Sequence, residues 1–451
     1  MRERIALLGI LVLMVTGADP GLASPAAGGD QLWVSRMTNP GGIAESVGVS
    51  PDGSRVFVTG GAADYETVAY DSATGAQLWI STYTGPGNDF AKALAVSPDG
   101  TKVFVTGWSL GQGQYVDYAT VAYDAATGNQ LWVERYDGPK HRDDTPYAIA
   151  VSPDGYTVFV TGTSAGSGTH NDYATIAYHA ATGIKLWIRR YNGPGNGDDA
   201  AHSIATSPDG TRVFVTGCAT GTGGNCDYAT IAYGAAAGAT LWGQRYDGPA
   251  QGLDIANAVA VSPDGTRVVV TGASAGVGTD DDYATISYDS ATGSMQWGTR
   301  YSGPGSPNND DTAFAVGISP DSARVFVTGC SFGARCDYET IAYDAAGGTT
   351  LWNERYAPGD AAYSLGVSPD GSQVIVTGIG TGSHGYYDYV TVAYDAAAGG
   401  TVWADRYDGP ANLWDSAYSL AISPDGTKVF VTGYSQNGQS GDDYATVAYE
   451  A

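Results

Sequence analysis

Gln31-Leu32-Trp33-Val34-Ser35-Arg36-Met37 decides how this sequence is read, because seven further versions follow: QLWISTY (77–83), QLWVERY (130–136), KLWIRRY (185–191), TLWGQRY (240–246), MQWGTRY (295–301), TLWNERY (350–356) and TVWADRY (401–407). A second marker, Ser-Pro-Asp-Gly or a variant, interleaves with it at Ser50, Ser97, Ser152, Ser207, Ser262, Ser319, Ser368 and Ser423. Only the sixth copy departs, with Ser322 in the glycine position. Most intervals are 55 residues and none is below 47. Self-similarity at such a period marks a repeat architecture in which each unit is one supersecondary element.

Each unit holds four short runs rich in Val, Ile, Thr, Tyr and Phe. In the second unit they are Ala91–Ser97, Lys102–Gly107, Tyr118–Tyr123 and Gln130–Tyr136. Asp-Gly separates the first two and an Ala-Thr-Gly turn separates the last two, so each unit predicts an antiparallel four-stranded sheet. No stretch carries a sustained helical period. The tryptophan segment stands alone at the front, and the last repeat, ending at Ala451, has every segment except that one. The pattern predicts an all-β, eight-bladed propeller over residues 31–451, with Gln31–Met37 as the outermost strand of the last blade. Closing the ring protects the sheet edges. One tryptophan per outer strand, at eight equivalent positions, reads as packing between blades rather than as a ligand surface.

The N-terminus reads as a secretory signal: Arg2 and Arg4 precede an apolar run over 5–17, and small residues follow at Gly21 and Ala23. Residues 1–23 are therefore expected to be removed, residues 24–30 to be a linker, and the protein to be secreted or periplasmic. Net charge is −26. That excludes a nucleic-acid backbone as partner and argues against anionic membranes, while metal cations, glycans and other proteins remain. No membrane insertion is expected, and the molecule is read as a monomer.

The run AYDAATGNQLW (122–132) resembles the A-x-D-x-x-T-G-x-x-x-W docking motif of the quinoprotein (PQQ-type) eight-bladed propellers, and Ala69, Asp71, Thr74, Gly75 and Trp79 match it too. Other blades depart: His179 and Gly234 replace the Asp, and Gly347 and Ala398 replace the Thr. The whole unit, DYATVAYDAATGNQLWVERYDGP followed by ALAVSPDGTKVFVTG, is similar to bacterial SBBP-type propeller repeats. The resemblance implies the fold over residues 31–451 and leaves the chemistry open. Quinoprotein dehydrogenases carry an adjacent-cysteine pair near the cofactor, which this chain lacks, so PQQ is not expected.

Cys218 with Cys226, and Cys330 with Cys336, bracket equivalent connections in two repeats. An exported chain with an even cysteine count favours a disulfide in each, over zinc, because no histidine lies in either connection. Aspartates recur in two registers expected to rim one mouth of the ring. Asp64, Asp117, Asp172, Asp227, Asp282, Asp337, Asp388 and Asp443 open the third strand; Asp89, Asp144, Asp199, Asp254, Asp311, Asp360 and Asp415 open the first. The first-strand set is a candidate calcium rim; the alternative is that each aspartate caps a turn or ties blades together. Three residues after that aspartate the repeats differ most, reading Glu45, Lys92, Tyr147, His202, Asn257, Phe314, Tyr363 and Tyr418. Such a ring on the innermost strands is a candidate ligand site. Trp108 and Trp414, read as lying in mouth-side loops, join it as candidate stacking surfaces with Tyr115, Tyr386 and Tyr387.

Catalytic signals are thin. GTSAG (162–166) and GASAG (272–276) match a nucleophile motif that needs a strand-to-helix elbow, and here both fall in Gly/Ser-rich connections. His141, His170 and His202 fall in neighbouring repeats and would be the ligands of any three-histidine metal site. The reading is an exported, non-catalytic binding module taking a glycan or protein at the mouth. The alternatives are a PQQ/calcium oxidoreductase and a calcium-dependent sugar or lactone hydrolase or lyase.

Overall fold

The computed structural model describes residues 28–37, 42–111, 114–304, 310–333, 335–438 and 441–451. The expected signal segment and residues 24–27 lie outside them. The described residues form eight four-stranded antiparallel sheets and no helix. Within a blade the strands run A to D outward from the ring axis. Blade 2, for example, comprises Asp89–Val96, Lys102–Leu110, Val116–Asp124 and Gln130–Tyr136. Strands A, B and C are longer than the sequence pattern suggests, because their mouth-side ends, rich in Gly and Ser, still pair across the sheet.

The ring closes as the permuted repeat predicts. Gln31–Met37 pairs antiparallel with Asp442–Glu450, and the last sheet is completed by Lys428–Gln436 and Asp415–Ile422. The closure begins before Gln31. The Gly29 amide donates to the Glu450 carbonyl at 2.7 Å, and the Glu450 amide donates to the Asp30 carbonyl at 2.9 Å. Gly28-Gly29-Asp30 thus stands in the C–D turn of blade 8 where Thr74-Gly75-Ala76 stands in blade 1.

The core lies between blades. Each cluster of buried side chains draws on two neighbours: Phe104, Tyr118 and Trp132 of blade 2 pack with Val158, Ile176 and Tyr178 of blade 3. The outer-strand tryptophans are at most 9 % exposed. Six sit between a strand-B phenylalanine of their own blade and a strand-C tyrosine of the next, as Trp79 does between Phe57 and Tyr123, while Val269 and Ile375 take the phenylalanine's place beside Trp297 and Trp403. Seven indole N–H groups donate to a carbonyl of the next blade, at 2.8–3.2 Å, among them Trp33 to Ser72 and Trp187 to Ala235. Strand-C tyrosines repeat the link deeper in, as Tyr118 donates to the Ala174 carbonyl at 3.3 Å. The two exceptions fall at the junctions of blade 8: Trp403 Nε1 and the Tyr444 hydroxyl are buried without a partner.

The closing strand therefore carries stability as well as topology. Deleting residues 31–37 is expected to abolish cooperative melting at the intact protein's temperature. Trp33→Ala should cost about 3–5 kcal/mol in denaturant titration. An unchanged melt of the deletion variant would overturn the closure.

Candidate functional site at the mouth of the ring

The two ends of the ring are built differently. At one end the Ser-Pro-Asp-Gly turns are self-contained. The Arg55 amide donates to Ser50 Oγ at 2.9 Å, Ser50 Oγ donates to Asp52 at 2.5 Å, and Gly53 takes φ 71°. The serine hydroxyls and backbone amides hold Asp52, Asp99, Asp209, Asp370 and Asp425 down at about 2. These aspartates are turn formers.

The other end, the mouth, gathers the B–C and D–A connections. The strand-A aspartates Asp89, Asp144, Asp199, Asp254, Asp311, Asp360 and Asp415 are all buried. Most accept the amide of the glycine after the preceding strand D: Gly85 donates to Asp89, Gly193 to Asp199 at 2.6 Å, and Gly409 to Asp415 at 2.7 Å. The second oxygen often takes an amide at the end of strand B, as Ala165 donates to Asp144 at 3.1 Å and Phe332 to Asp311 at 2.8 Å. Asp360 takes the Thr381 amide at 2.5 Å. The strand-C aspartates pair instead with the arginine of the outer-strand Arg-Tyr motif: Arg135 with Asp117 at 2.8 Å, Arg190 with Asp172 at 3.0 Å, Arg406 with Asp388 at 3.1 Å. Arg135 reaches on to Ser109 in its own blade and to the Tyr83 hydroxyl of the previous one. Blade 1, reading Ser81-Thr82-Tyr83, has no such arginine.

Among the described residues, three trios of carboxylates offer oxygens within 4.8 Å of one another: Asp117, Asp137 and Asp144; Asp227, Asp247 and Asp254; Asp388, Asp408 and Asp415. The third members, Asp137, Asp247 and Asp408, escaped the sequence reading. Their signal is the residue after the outer-strand tyrosine, which is Asp only there and Thr, Asn, Ser or Ala elsewhere. Burial, with Asp388 and Asp408 alongside, pushes Asp415 up to about 6. As donors for calcium the trios fit poorly: each already holds a guanidinium, and backbone amides occupy the strand-A member.

The variable ring owes its direction to the backbone. In all eight blades the A–B register shifts at this position, between Ala91 and Ala93 in blade 2 and between Pro146 and Ala148 in blade 3, so the residue between is the extra residue of a β-bulge. A bulge re-aims one side chain and leaves it outside the ladder. The ring members then meet one another around the mouth. Lys92 pairs with Glu45 at 3.0 Å, and Tyr147 meets His202 edge-on. His202 Nδ1 lies 3.1 Å from the Ala256 carbonyl, and Asn257 donates to the Ala313 carbonyl at 2.9 Å. Phe314, Tyr363 and Tyr418 are in ring contact in series, and Tyr418 continues to Tyr434. Tyr387 packs in the same cluster as Phe314 and Tyr363, and in turn meets Trp414 at 4.9 Å between centroids. Blades 6 to 8 thus present an aromatic arc from the axis to the rim, ending on Trp414, which is 38 % exposed, and Tyr386.

Trp108 is not in a loop. It lies within strand B of blade 2, opposite Phe90 and Tyr118, and stacks on Phe90 at 5.9 Å, because strand B runs to Leu110. Ser164 and Ser274 of the Gly-x-Ser-x-Gly matches are fully buried within strand B and accept the guanidinium N–H groups of Arg190 and Arg300. Among the described residues, the three histidines form no ligand group: His141 pairs with Asp137, and His170 lies 3.9 Å from Asp198. The two disulfides, Cys218–Cys226 and Cys330–Cys336, are formed as expected. For a tricarboxylate quinone such as PQQ, the axis would have to supply free cations, yet the ring's only ammonium, Lys92, is already paired with Glu45.

The family described as "Outer membrane protein assembly factor BamB" matches residues 22–175 and 171–430. The chain belongs to this family of PQQ-like repeat propellers. BamB from Moraxella catarrhalis is similar in structure, with TM-score 0.55, 13% identity, and coverage of 94% of this chain and 99% of that one. Hydrazine synthase from Kuenenia stuttgartiensis is similar with TM-score 0.50 and 16% identity over 75% of this chain and 91% of that one. At these identities the likeness speaks for the fold. No curated protein matches the chain. Among the described residues, no helix is long and apolar enough to cross a membrane.

The elevated Asp415 gives the mouth a pH signature. A carboxyl whose folded pKa of about 6 exceeds the ordinary 3.8 binds its proton better in the folded state. Its contribution is complete below the ordinary value and is lost as pH rises through about 6. Asp415→Asn is therefore expected to flatten the decline of melting temperature across that interval. Parallel curves for the variant and the parent would refute the assignment.

Proposed function

We propose that this chain is an exported, non-catalytic interaction module that takes a segment of a partner protein at the mouth face, with the aromatic arc of blades 6 to 8 as its anchor. The observation that carries this reading is the ring of eight bulges. A repeat that holds constant its tryptophans and its buried threonine pairs, such as Thr106 with Thr120 and Thr161 with Thr175, spends its variation on the residues at those bulges. Tyrosine and tryptophan are the side chains that most often dominate binding energy at protein interfaces, and Phe314, Tyr363, Tyr418, Tyr387 and Trp414 form one connected group. The family's description as an assembly factor supports a protein partner. The two disulfides support an oxidising compartment. A glycan is the second reading, favoured by the exposed ring of Trp414.

Neither reading needs a cofactor, so melts in EDTA, in calcium, and in calcium with PQQ are expected to superimpose. A PQQ-dependent upward shift would restore the oxidoreductase alternative. The direct test is photo-crosslinking in the native envelope from residue 418 on the mouth and from residue 209 on the opposite end. Crosslinks to one defined protein from 418, lost in a Tyr363→Ala/Trp414→Ala background, are expected. Equal yield from 209, or yield indifferent to those substitutions, would sink the proposal.

A further inference from the structure

Across the ring from the aromatic arc, the mouth holds a cavity of about 500 Å³ between blades 2 and 3. Its wall includes Tyr115, Lys140, Arg142, Thr169, His170 and Asn171. Three properties separate it from its counterparts in the repeat. First, Lys140 and Arg142 belong to the connection Asp137–Asp143, reading DGPKHRD, and are the only Lys or Arg in any of the eight D–A connections of a chain carrying net charge −26. Second, no hydrogen bond or ion pair to another described residue involves either side chain, whereas the mouth-side arginines of the strands are bound to aspartate. Third, Tyr115 leaves 42 % of its surface exposed at the cavity edge.

Two carboxylates share the wall, Asp143 and Asp198, each with one oxygen held by a backbone amide: Val116 donates to Asp143 at 3.1 Å and Asn171 to Asp198 at 3.1 Å. Their remaining lone pairs suit hydroxyl donors and repel a polyanion that brings none. The lining is polar apart from Tyr115 and Ala165, so it offers no seat for an apolar anchor. Unpaired cations for a carboxylate, acceptors for hydroxyls and one aromatic face together describe a ligand that has all three counterparts in a single ring.

We propose that this cavity binds an acidic saccharide, a hexuronate-bearing oligomer, with Lys140 and Arg142 holding the uronate carboxylate, Asp143 and Asp198 accepting ring hydroxyls, and Tyr115 stacking on the sugar face. The site is separate from the aromatic arc, and would let the propeller hold an envelope or extracellular polysaccharide while the arc engages a protein.

The test is calorimetric titration of the mature, oxidised protein with tetragalacturonate, mannuronate tetramer, methyl-esterified tetragalacturonate and tetraglutamate. At least one of the two acidic sugars is expected to bind, and the ester and the peptide to bind at least about tenfold more weakly. Affinity should fall as salt rises from about 50 to about 500 mM. Lys140→Ala/Arg142→Ala and Tyr115→Ala should each weaken binding by about tenfold or more, with unchanged melting temperature, since all three side chains are exposed. Absence of binding by both acidic sugars, equal affinity in the double variant, or tighter binding of tetraglutamate would overturn the proposal. Crosslinking from residue 418 reads different residues, so either result stands without the other.

Discussion

Every blade is positioned by one contact, an indole laid over a glycine. The glycine of each C–D turn has positive φ and lies under the tryptophan of the preceding blade; a Cβ on Gly75 would come within 2.6 Å of Trp33, and one on Gly128 within 2.7 Å of Trp79. Two requirements therefore coincide at one atom: the turn needs a left-handed residue, and the indole needs the space a side chain would fill. The indole N–H then donates to a carbonyl of the same turn, which fixes the angle between blades. Where the chain has no C–D turn, at blade 8, Gly29 takes φ 96° and approaches Trp403 in the same way. The packing of indole on glycine is kept there even though the covalent connection and the indole hydrogen bond are not.

Fixing the blades this way lets the two ends of the ring treat charge in opposite ways. At the turn end, serine hydroxyls and amides surround exposed aspartates and hold them well below the ordinary carboxylate range. At the mouth, burial raises Asp89, Asp144, Asp199, Asp254 and Asp311 while arginines and amides restrain the rise. The arginines do this while bridging blades, as Arg190 reaches Asp172 and Ser164 in its own blade and Tyr136 in the previous one. Much of the chain's acidity is thus scaffold, built into a repeat that needs carboxylates to close its turns. The basic side chains of one connection, without a partner among the described residues, stand out for that reason.

The eight blades, the closing strand and both disulfides were legible because they rest on local signals: a period, a turn dipeptide, a missing segment, two bracketed loops. The ring at Glu45, Lys92 and their equivalents was visible as variation, but its cause was not. A bulge is a mismatch of register between two strands, and the sequence of either strand alone, Asp89–Val96 for example, does not contain it. Trp108 falls outside the repeat pattern and so reads as a loop residue, whereas pairing with Phe90 and Tyr118 carries strand B past it. Asp137, Asp247 and Asp408 stand in three copies of Asp-Gly-Pro, outside both aspartate registers of the repeat. They became members of trios only when neighbouring blades supplied the other two carboxylates. The cavity by Lys140 was hidden for the same reason, since its walls come from connections of two blades.

An eightfold scaffold has no preferred blade, so specificity must come from departures from the repeat. Two departures gather side chains of one chemistry: the aromatic run through blades 6 to 8 and the basic connection between blades 2 and 3. Both lie on the mouth, where bulges and longer connections free side chains from the ladder. The opposite end, whose turns satisfy their own donors and acceptors, repeats nearly unchanged. In sugars, as in proteins, recognition needs groups left without an internal partner. By that criterion the buried aspartates, each holding amides or a guanidinium, contribute shape to the mouth, and Lys140 and Arg142, without a partner among the described residues, and the exposed rings of Tyr115 and Trp414 contribute the contacts.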